Sequence, residues 1–209
     1  MLLWSIIDFS QLTDSEADVL RDKLKKHFIG EKSLKRKESV AVRALLCYML
    51  KNCFGITDFT IDADSNGKPY IINSNIHFNL SHSENYALCV CGTEKVGCDI
   101  EKIKNCKERV AKRFFCKNEY DALMNCEDAS QFFTRLWVLK ESVLKFSGEG
   151  ITGGLDSYDF SGYHKCDEFS LGDLNFNCFD TDDYSVAICS ESGKIKEFKA
   201  DITDIVTVI

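Results

Sequence analysis

The spacing of apolar residues divides the chain into a mixture of predicted strands and helices. Short apolar or alternating runs between polar turns predict strands at 2–9, 59–64, 76–80, 86–91, 95–101, 167–171, 174–179, 184–190, 194–200 and 204–209. Helical spacing predicts helices at about 14–28, 33–53, 106–125 and 129–146. Thr13 or Asp14 can cap the first helix, since Glu16 follows at the distance of a capping box. Elements of both types are mixed along the chain, which predicts an α/β (α+β) fold.

Length and composition narrow the class of protein. A chain of 209 residues has room for one large or two small domains, and 44% hydrophobic with 28% charged residues is typical of a globular protein. No apolar run reaches the roughly 18 residues of a membrane helix, so no membrane association is predicted. Eleven cysteines without a Cys-x-x-Cys pair favour reduced thiols, and hence a cytoplasmic location, over a metal or redox site.

The formal charge of −7 is unevenly distributed along the chain. Segment 21–51 has ten Lys and Arg against three acids and segment 100–147 has ten against seven, whereas 148–209 has four against thirteen. Basic segments of this kind are either solvated helix faces or sites for an anionic ligand or an acidic partner. The overall acidity and the lack of a recognisable binding motif argue against nucleic acid.

The segment VGCDIE (96–101) places two carboxylates side by side. Side chains on a strand alternate between faces, so Asp99 and Glu101 share one face while Cys98 and Ile100 share the other. Two such charges about 4 Å apart repel by roughly 4 kcal/mol at an effective dielectric constant near 20. They tolerate each other at an exposed strand edge or around a hard cation such as Mg²⁺, and the pair alone leaves both interpretations open.

Two further segments contain polar residues whose role is open from spacing alone. In FFTRLWVLKESVLKF, Glu141 and Lys145 lie four residues apart on one helix face, which suits a surface ion pair or part of a site. In IHFNLSHSENY, Ser81 and His82 follow an apolar strand, which suits an anion site or a polar turn. A serine hydrolase is disfavoured, because adjacent residues rarely have nucleophile–base geometry and no Gly-x-Ser-x-Gly turn occurs.

Taken together and in order, these segments resemble the 4′-phosphopantetheinyl transferases, specifically the long single-chain type that activates surfactin-synthetase-like carriers. The matching blocks are GKPY (67–70), HFNLSHS (77–83), VGCDIE (96–101), RFF (113–115) with Glu119, and WVLKESVLK (137–145). The holo-acyl-carrier-protein synthases of the same superfamily are much shorter and trimeric. The length of 209 residues therefore favours the long type.

The resemblance implies two similar α/β subdomains related by a pseudo-twofold axis, here 1–95 and 96–209, with coenzyme A and Mg²⁺ in the cleft between them. It implies transfer of the 4′-phosphopantetheine arm of coenzyme A to a serine of an apo carrier-protein domain (acyl, peptidyl or aryl), with release of 3′,5′-ADP. A monomer is expected on the same likeness. The alternatives are a Mg²⁺-dependent phosphodiesterase or pyrophosphatase acting on coenzyme A-like nucleotides, and a non-catalytic carrier-binding module.

The catalytic assignments follow from position in the matching motifs. Asp99, Glu101 and Glu141 look like the family's metal ligands, with Mg²⁺ expected and Mn²⁺ as the alternative. Glu141 is the expected general base for the incoming serine, and Glu101 is the alternative base. Lys145 is expected to neutralise the pyrophosphate, with Lys140 as a lesser helper.

The nucleotide end of coenzyme A is assigned by the same likeness. The positions that match the family's phosphate and adenine contacts are Lys32, Lys35, Arg43, Lys68, Ser81 and His82. The serine and histidine match phosphate contacts, the lysine of the Gly-Lys-Pro turn matches an adenine contact, and the arginine matches a basic residue near the 3′-phosphate. Which of Lys32, Lys35, Arg36 and Lys37 hold that 3′-phosphate stays open.

A carrier protein is the expected macromolecular partner. Carrier domains are usually acidic around their serine, so docking is expected on the basic segment that follows the metal strand. The basic residues of this segment are Lys102, Lys104, Lys107, Arg109, Lys112, Arg113 and Lys117. Phe114 and Phe115 are candidate apolar anchors, and Phe114 is equally consistent with core packing.

Overall fold

The computed structural model describes residues 1–29, 34–149, 154–181 and 183–209. The elements in chain order are β1 (Leu2–Asp8), α1 (Asp14–Leu24), α2 (Lys37–Phe54), β2 (Ile61–Ala63), β3 (Pro69–Ile71), β4 (His77–Ser83), β5 (Tyr86–Gly92), β6 (Val96–Lys102), α3 (Glu108–Phe114), α4 (Lys117–Asn125), α5 (Ala129–Ser147), β7 (Glu168–Leu171), β8 (Leu174–Asp180), β9 (Tyr184–Ser190), β10 (Ile195–Glu197) and α6 (Ile202–Val208). This mixture confirms the predicted α/β class. In these ranges no helix is both long and apolar enough to cross a membrane.

The chain divides into two compact units, Met1–Val96 with Lys194–Ile209, and Gly97–Gly193. The first unit contains a four-stranded sheet in the order β10-β1-β5-β4, in which β10 is parallel to β1 and the other neighbours are antiparallel. The apolar face of α2 packs in one core with residues of β1, β4 and β5. Helix α1 begins at the predicted capping box, in which Thr13 and Glu16 each accept a hydrogen bond from the other's backbone N–H.

The C-terminal segment is helical and belongs to the first unit. A strand was predicted at 204–209 as an apolar run after a polar turn, and this prediction is wrong because α6 begins at Ile202. The Asp201 side chain accepts a hydrogen bond of 2.8 Å from the Thr203 amide, and Ile202 and Ile205 enter the core of the first unit. The sequence division at residue 95 had grouped this segment with the second half, whereas the parallel pairing of β10 with β1 joins it to the first.

The second unit contains a four-stranded sheet in the order β6-β9-β8-β7, with α5 packed against β9. The single helix predicted at 106–125 is two helices, α3 and α4, in the structure. Phe115 separates them with extended backbone angles and a buried side chain. The amide of Cys116 donates a hydrogen bond of 2.8 Å to Glu119, which caps a new helix at that point.

Candidate active site

Strand β6 and helix α5 approach each other unusually closely within the second unit. A Cβ atom on Gly97 would overlap the carbonyl oxygen of Ser142 and the backbone nitrogen of Phe146. Only glycine leaves room for this approach, because it has no Cβ. The contact places the carboxylates of β6 beside the part of α5 that contains Glu141 and Lys145.

Asp99 and Lys145 form an ion pair across this contact. The Lys145 ammonium nitrogen lies 2.6 Å from Asp99 Oδ1, with the lysine side chain 29% exposed and the aspartate side chain 6% exposed. Burial is the largest single influence and acts to lower the pKa of Lys145, but the charge and hydrogen bond of Asp99, together with Cys98 and Glu141, outweigh it and the pKa is raised. Lys145 is therefore a fixed positive charge whose position is set by a buried carboxylate.

Glu141 lies in the same cluster and is half-buried. Burial raises its pKa, and the charges of Asp99 and Glu101 raise it further, while Lys145 partly opposes them. Glu101 is also half-buried and lies 3.3 Å from the ammonium nitrogen of Lys104. The structure thus brings Asp99, Glu101, Glu141 and Lys145 into one electrostatic cluster, as the motifs predict.

The donor chemistry of this cluster fits a hard divalent cation. Three carboxylates face one another closely enough for Asp99 and Glu101 to raise the pKa of Glu141, and a cation would relieve that repulsion. Among the described residues, a different group, Cys116 with Glu119 and Asp159, has ligand atoms that all lie within 4.8 Å of one another. The support for a metal at this cluster is therefore the type of ligand that it offers and its excess of negative charge.

A small cavity opens beside Glu101 in the second unit. It has a volume of about 270 Å³ and is lined in part by Glu101, Lys102, Lys104, Lys107, Phe114 and Trp137. Phe114 and Trp137 meet edge to face with ring centroids 5.9 Å apart. Phe115, the other predicted docking anchor, is instead buried in the core of this unit. The cavity combines an aromatic floor with a basic rim.

Arg43 lies on α2 in the first unit and suits an anion. It is half-buried, donates a hydrogen bond of 3.1 Å to the Ser39 carbonyl and stacks 5.6 Å over the Phe28 ring. In the described part of the chain no carboxylate forms an ion pair with it, and its Nε has no hydrogen-bond partner. Burial lowers the pKa of Arg43, yet a guanidinium remains charged at neutral pH.

The remaining predicted contacts of the first unit differ in their surroundings. Lys68 follows a turn at Gly67, and its ammonium donates to the Val96 carbonyl at 3.4 Å. Lys35 is exposed, and Lys32 lies outside the described residues. Arg36 lies 3.9 Å from Glu38 and Lys37 lies 3.6 Å from Asp14, so both of these alternatives have carboxylate neighbours.

Ser81 and His82 lie within a strand, which corrects the expected loop position. The strand predicted at 76–80 continues to Ser83, and Ser81 and His82 pair with Leu88 and Ala87 of β5. Because side chains alternate along a strand, Ser81 is buried while His82 on the opposite face is exposed. The two side chains therefore point to opposite faces of β4, and the strand alone does not direct both of them to one phosphate.

One predicted helper is engaged elsewhere. Lys140 was expected to assist at the phosphates, but its side chain is fully buried and its ammonium lies 2.8 Å from Glu119. Spacing alone does not reveal this pair, because the two residues lie on different helices. The only signal was a lysine at the edge of an apolar helix stripe, which requires a buried partner if it turns inward.

Comparison with known proteins gives a consistent result. Residues 95–200 match the family model described as the 4′-phosphopantetheinyl transferase superfamily. The chain is 33% identical over 157 residues to 4′-phosphopantetheinyl transferase Sfp of Bacillus subtilis strain 168, covering 70% of this chain and 68% of that protein. It is 36% identical over 148 residues to another Bacillus subtilis 4′-phosphopantetheinyl transferase, covering 66% of this chain and 62% of that one. It is 35% identical over 153 residues to 4′-phosphopantetheinyl transferase HetI of Nostoc sp., covering 68% and 65%.

Proposed function

Because the chain belongs to the 4′-phosphopantetheinyl transferase superfamily, we propose that it transfers the 4′-phosphopantetheine arm of coenzyme A to a serine of an apo carrier-protein domain and releases 3′,5′-ADP. The observation that supports this best is the Asp99–Lys145 pair at 2.6 Å beside Glu141. It combines a fixed positive charge for a pyrophosphate with a carboxylate of raised pKa for a hydroxyl proton.

The reaction exchanges one phosphorus–oxygen bond for another. The serine oxygen bonds to the phosphorus that bears the pantetheine arm, while the bond from that phosphorus to the ADP part breaks. Glu141 accepts the serine proton, since burial and neighbouring carboxylates raise its pKa toward the working range of a general base. Lys145, oriented by Asp99, neutralises the charge that develops on the departing ADP.

Asp99, Glu101 and Glu141 are the residues that would hold Mg²⁺, with Mn²⁺ as the alternative. When bound, the ion supplies positive charge that stabilises the phosphate oxygens. Support comes from the raised pKa of Glu141, which reflects its burial first and then the charges of Asp99 and Glu101.

The nucleotide end of coenzyme A is assigned to basic and polar residues of the first unit. Arg43 is proposed to hold the 3′-phosphate, because its guanidinium is half-buried without a carboxylate partner in the described ranges. Exposed Lys35 assists it, and Lys68 is assigned to the adenine. Ser81 and His82, on opposite faces of β4, keep their assignment to phosphates on the family likeness alone. Lys32 keeps its proposed place beside Lys35 on the family likeness alone.

The carrier is proposed to dock over the basic rim of the cavity beside Glu101. Lys102, Lys104 and Lys107 supply the charge that an acidic carrier surface requires, and Phe114 with Trp137 supplies apolar area. The enzyme is proposed to act as a monomer in a reducing cytoplasm, consistent with eleven free thiols.

One assay separates this function from its alternatives. The protein is incubated with coenzyme A, Mg²⁺ and a panel of apo carrier proteins, and each carrier is weighed by mass spectrometry. Transfer adds the arm, a gain of about 340 Da, and addition of a chelator should prevent it. Release of free phosphopantetheine without any carrier would indicate a phosphodiesterase instead. Binding of carriers without modification of any of them would indicate a non-catalytic module.

A further inference from the structure

A second ion pair on α5 is completely enclosed within the protein. The ammonium nitrogen of Lys140 lies 2.8 Å from Glu119 Oε2, and neither side chain has any exposed surface. The aromatic rings of Phe115 and Phe160 flank the ammonium at 5.7 and 5.6 Å from their centroids. The pair joins α4 to α5 inside the second unit.

All three donors of Lys140 and three acceptor positions of Glu119 are occupied. Besides Glu119, the Lys140 ammonium donates to the carbonyl oxygens of Leu155 at 2.6 Å and Tyr158 at 2.9 Å, which uses its three donors. Glu119 accepts through Oε2 from the Cys116 amide at 2.8 Å and through Oε1 from the Phe160 amide at 2.9 Å. No donor of Lys140 remains for a phosphate, so the pair acts within the protein.

The same network competes with a metal at the neighbouring thiol. Cys116, Glu119 and Asp159 place ligand atoms within 4.8 Å of one another. Glu119, however, already accepts one ammonium and two amide hydrogen bonds. The chain segment from Leu155 to Phe160 is thereby tied to both helices, and the group is explained without an ion.

Lys140 immediately precedes Glu141 along α5. Successive residues of a helix are rotated by about 100° from each other, so anchoring Lys140 on one side fixes the direction in which Glu141 leaves the helix. Lys145 lies one turn beyond Glu141 on the same face. The buried pair therefore sets the rotation of α5 about its axis at the place where the chemistry requires it.

Stability alone does not account for such a pair. Desolvation of two charges cancels much of their attraction, and well-packed neutral residues of similar size are often as stable. We propose that Glu119 and Lys140 are positioning residues, which hold Glu141 and Lys145 in register with Asp99. This inference rests on the proposed transferase function and adds a role to two residues that touch no substrate.

The test removes both charges together, because either single change leaves one buried charge without its partner. Glu119→Gln/Lys140→Met keeps side-chain volume and neutrality but loses the hydrogen bonds to Leu155 and Tyr158. The matched control is Asp22→Asn/Lys25→Met, which removes an exposed pair at 2.9 Å far from α5 in sequence. The measurements are thermal unfolding, kcat and KM with coenzyme A and carrier, and backbone hydrogen exchange of 141–147 and 155–160.

The expected result separates rate from stability. The double variant should stay folded with a moderately lowered unfolding temperature, because the carbonyl groups of Leu155 and Tyr158 lose their donor. It should keep its KM for coenzyme A within about twofold, while kcat falls about a hundredfold. Hydrogen exchange should accelerate in 141–147 and 155–160 while β8 and β9 stay protected. The control should match the wild type in each measurement.

Three outcomes overturn the inference. Wild-type kcat with unchanged exchange would show that the pair has only a packing role. Failure of the double variant to fold would show that the pair maintains the fold itself. Unchanged local exchange together with a loss of activity would place the effect elsewhere. If the wild type modifies no carrier, the proposed function fails separately, and hydrogen exchange still decides whether the pair holds α5.

Discussion

Two lysines five residues apart on α5 occupy opposite environments. Lys140 pairs with Glu119 where neither side chain is exposed, and its donors are all used inside the protein. Lys145 pairs with Asp99 at 2.6 Å but remains 29% exposed. Both lysines lie on one helix and each faces a carboxylate, yet only one of them can meet a ligand.

The difference lies in charge balance as well as exposure. At Lys140 one cation meets one anion, and backbone groups satisfy the remainder. Around Lys145, three carboxylates share a cluster in which Asp99 and Glu101 raise the pKa of Glu141. Balanced burial is typical of a structural element, whereas a partly exposed excess of one charge is typical of a site that binds and reacts.

The largest expected effect comes from removing the charge of Glu141. Glu141→Gln should lower kcat about a thousandfold, because the serine loses its proton acceptor. Stability at neutral pH should stay the same or rise slightly. The pKa of Glu141 is raised in the folded protein, so folding disfavours the ionised carboxylate once the pH exceeds the pKa of this group in the unfolded chain. Glutamine does not carry that charge. The rate of carrier mass gain and the unfolding temperature are the measurements. Glu149→Gln, the same change at an exposed residue beyond α5, is the control, and activity within tenfold of wild type would contradict the assignment.

A matched pair of substitutions tests the two lysines directly. Lys145→Met should lower kcat about a hundredfold, because an electrostatic contact with the pyrophosphate is lost. It should destabilise the protein less than Lys140→Met does, because the Lys145 side chain is 29% exposed and water reaches part of the site. Lys140→Met should instead lower the free energy of unfolding by about 3–5 kcal/mol, because Glu119 stays buried without its partner. Denaturant titration and single-turnover kinetics measure the two effects. The same response in both variants would remove the distinction between the two ends of the helix.

Exposed charges on α3 extend the comparison to the partner. Lys112→Glu/Arg113→Glu should raise the carrier KM about tenfold and leave the KM for coenzyme A unchanged, because rim charges act on an acidic partner. Folding should be unaffected, since the Lys112–Glu108 pair is largely exposed and such pairs contribute little. The control is Lys23→Glu/Lys26→Glu, which makes an equal charge change on the first unit and should leave the carrier KM unchanged. An unchanged carrier KM would exclude this docking surface.

The smallest effect concerns two thiols that are buried in the apolar cores. Burial raises the pKa of Cys47 and of Cys178 to about 12, so at pH 8 their thiolate fraction is about one in ten thousand. Neither thiol should react with iodoacetamide in the folded protein, whereas denaturant should expose both. Peptide mass mapping before and after unfolding measures this, and rapid native alkylation of Cys47 would contradict the described core.

Local signals predicted much of the fold. Helix α5 was expected at 129–146 and is Ala129–Ser147, and α1 begins at the predicted capping box. Strand β6 was expected at 95–101 and is Val96–Lys102. In each of these elements the apolar spacing and the capping residues favour the same structure, so no distant contact has to override them.

The errors occur where distant contacts decide. The break between α3 and α4 depends on Glu119, which caps Cys116 and meets Lys140 from another helix. The helix at the C-terminal end depends on Asp201 and on the core of the first unit. The two caps are local, but neither Lys140 nor the core of the first unit can be identified from spacing within a short window.

The sequence predicted the residues of the candidate site but not the buried Glu119–Lys140 pair beside them. Motif order brought together Asp99, Glu101, Glu141 and Lys145, which form one cluster in the second unit. It also presented Lys140 as a helper, because the sequence Lys-Glu is the same whether the lysine faces solvent or the core. Only burial distinguishes the two, and burial is a property of the folded chain.

The close approach at Gly97 has a consequence for redesign of this enzyme. Position 97 accepts only glycine, because any added side-chain carbon would overlap the backbone of α5. A saturation library at this position should return glycine alone among active clones. Efforts to alter carrier preference should therefore vary the residues at the rim of the cavity and keep Gly97 unchanged.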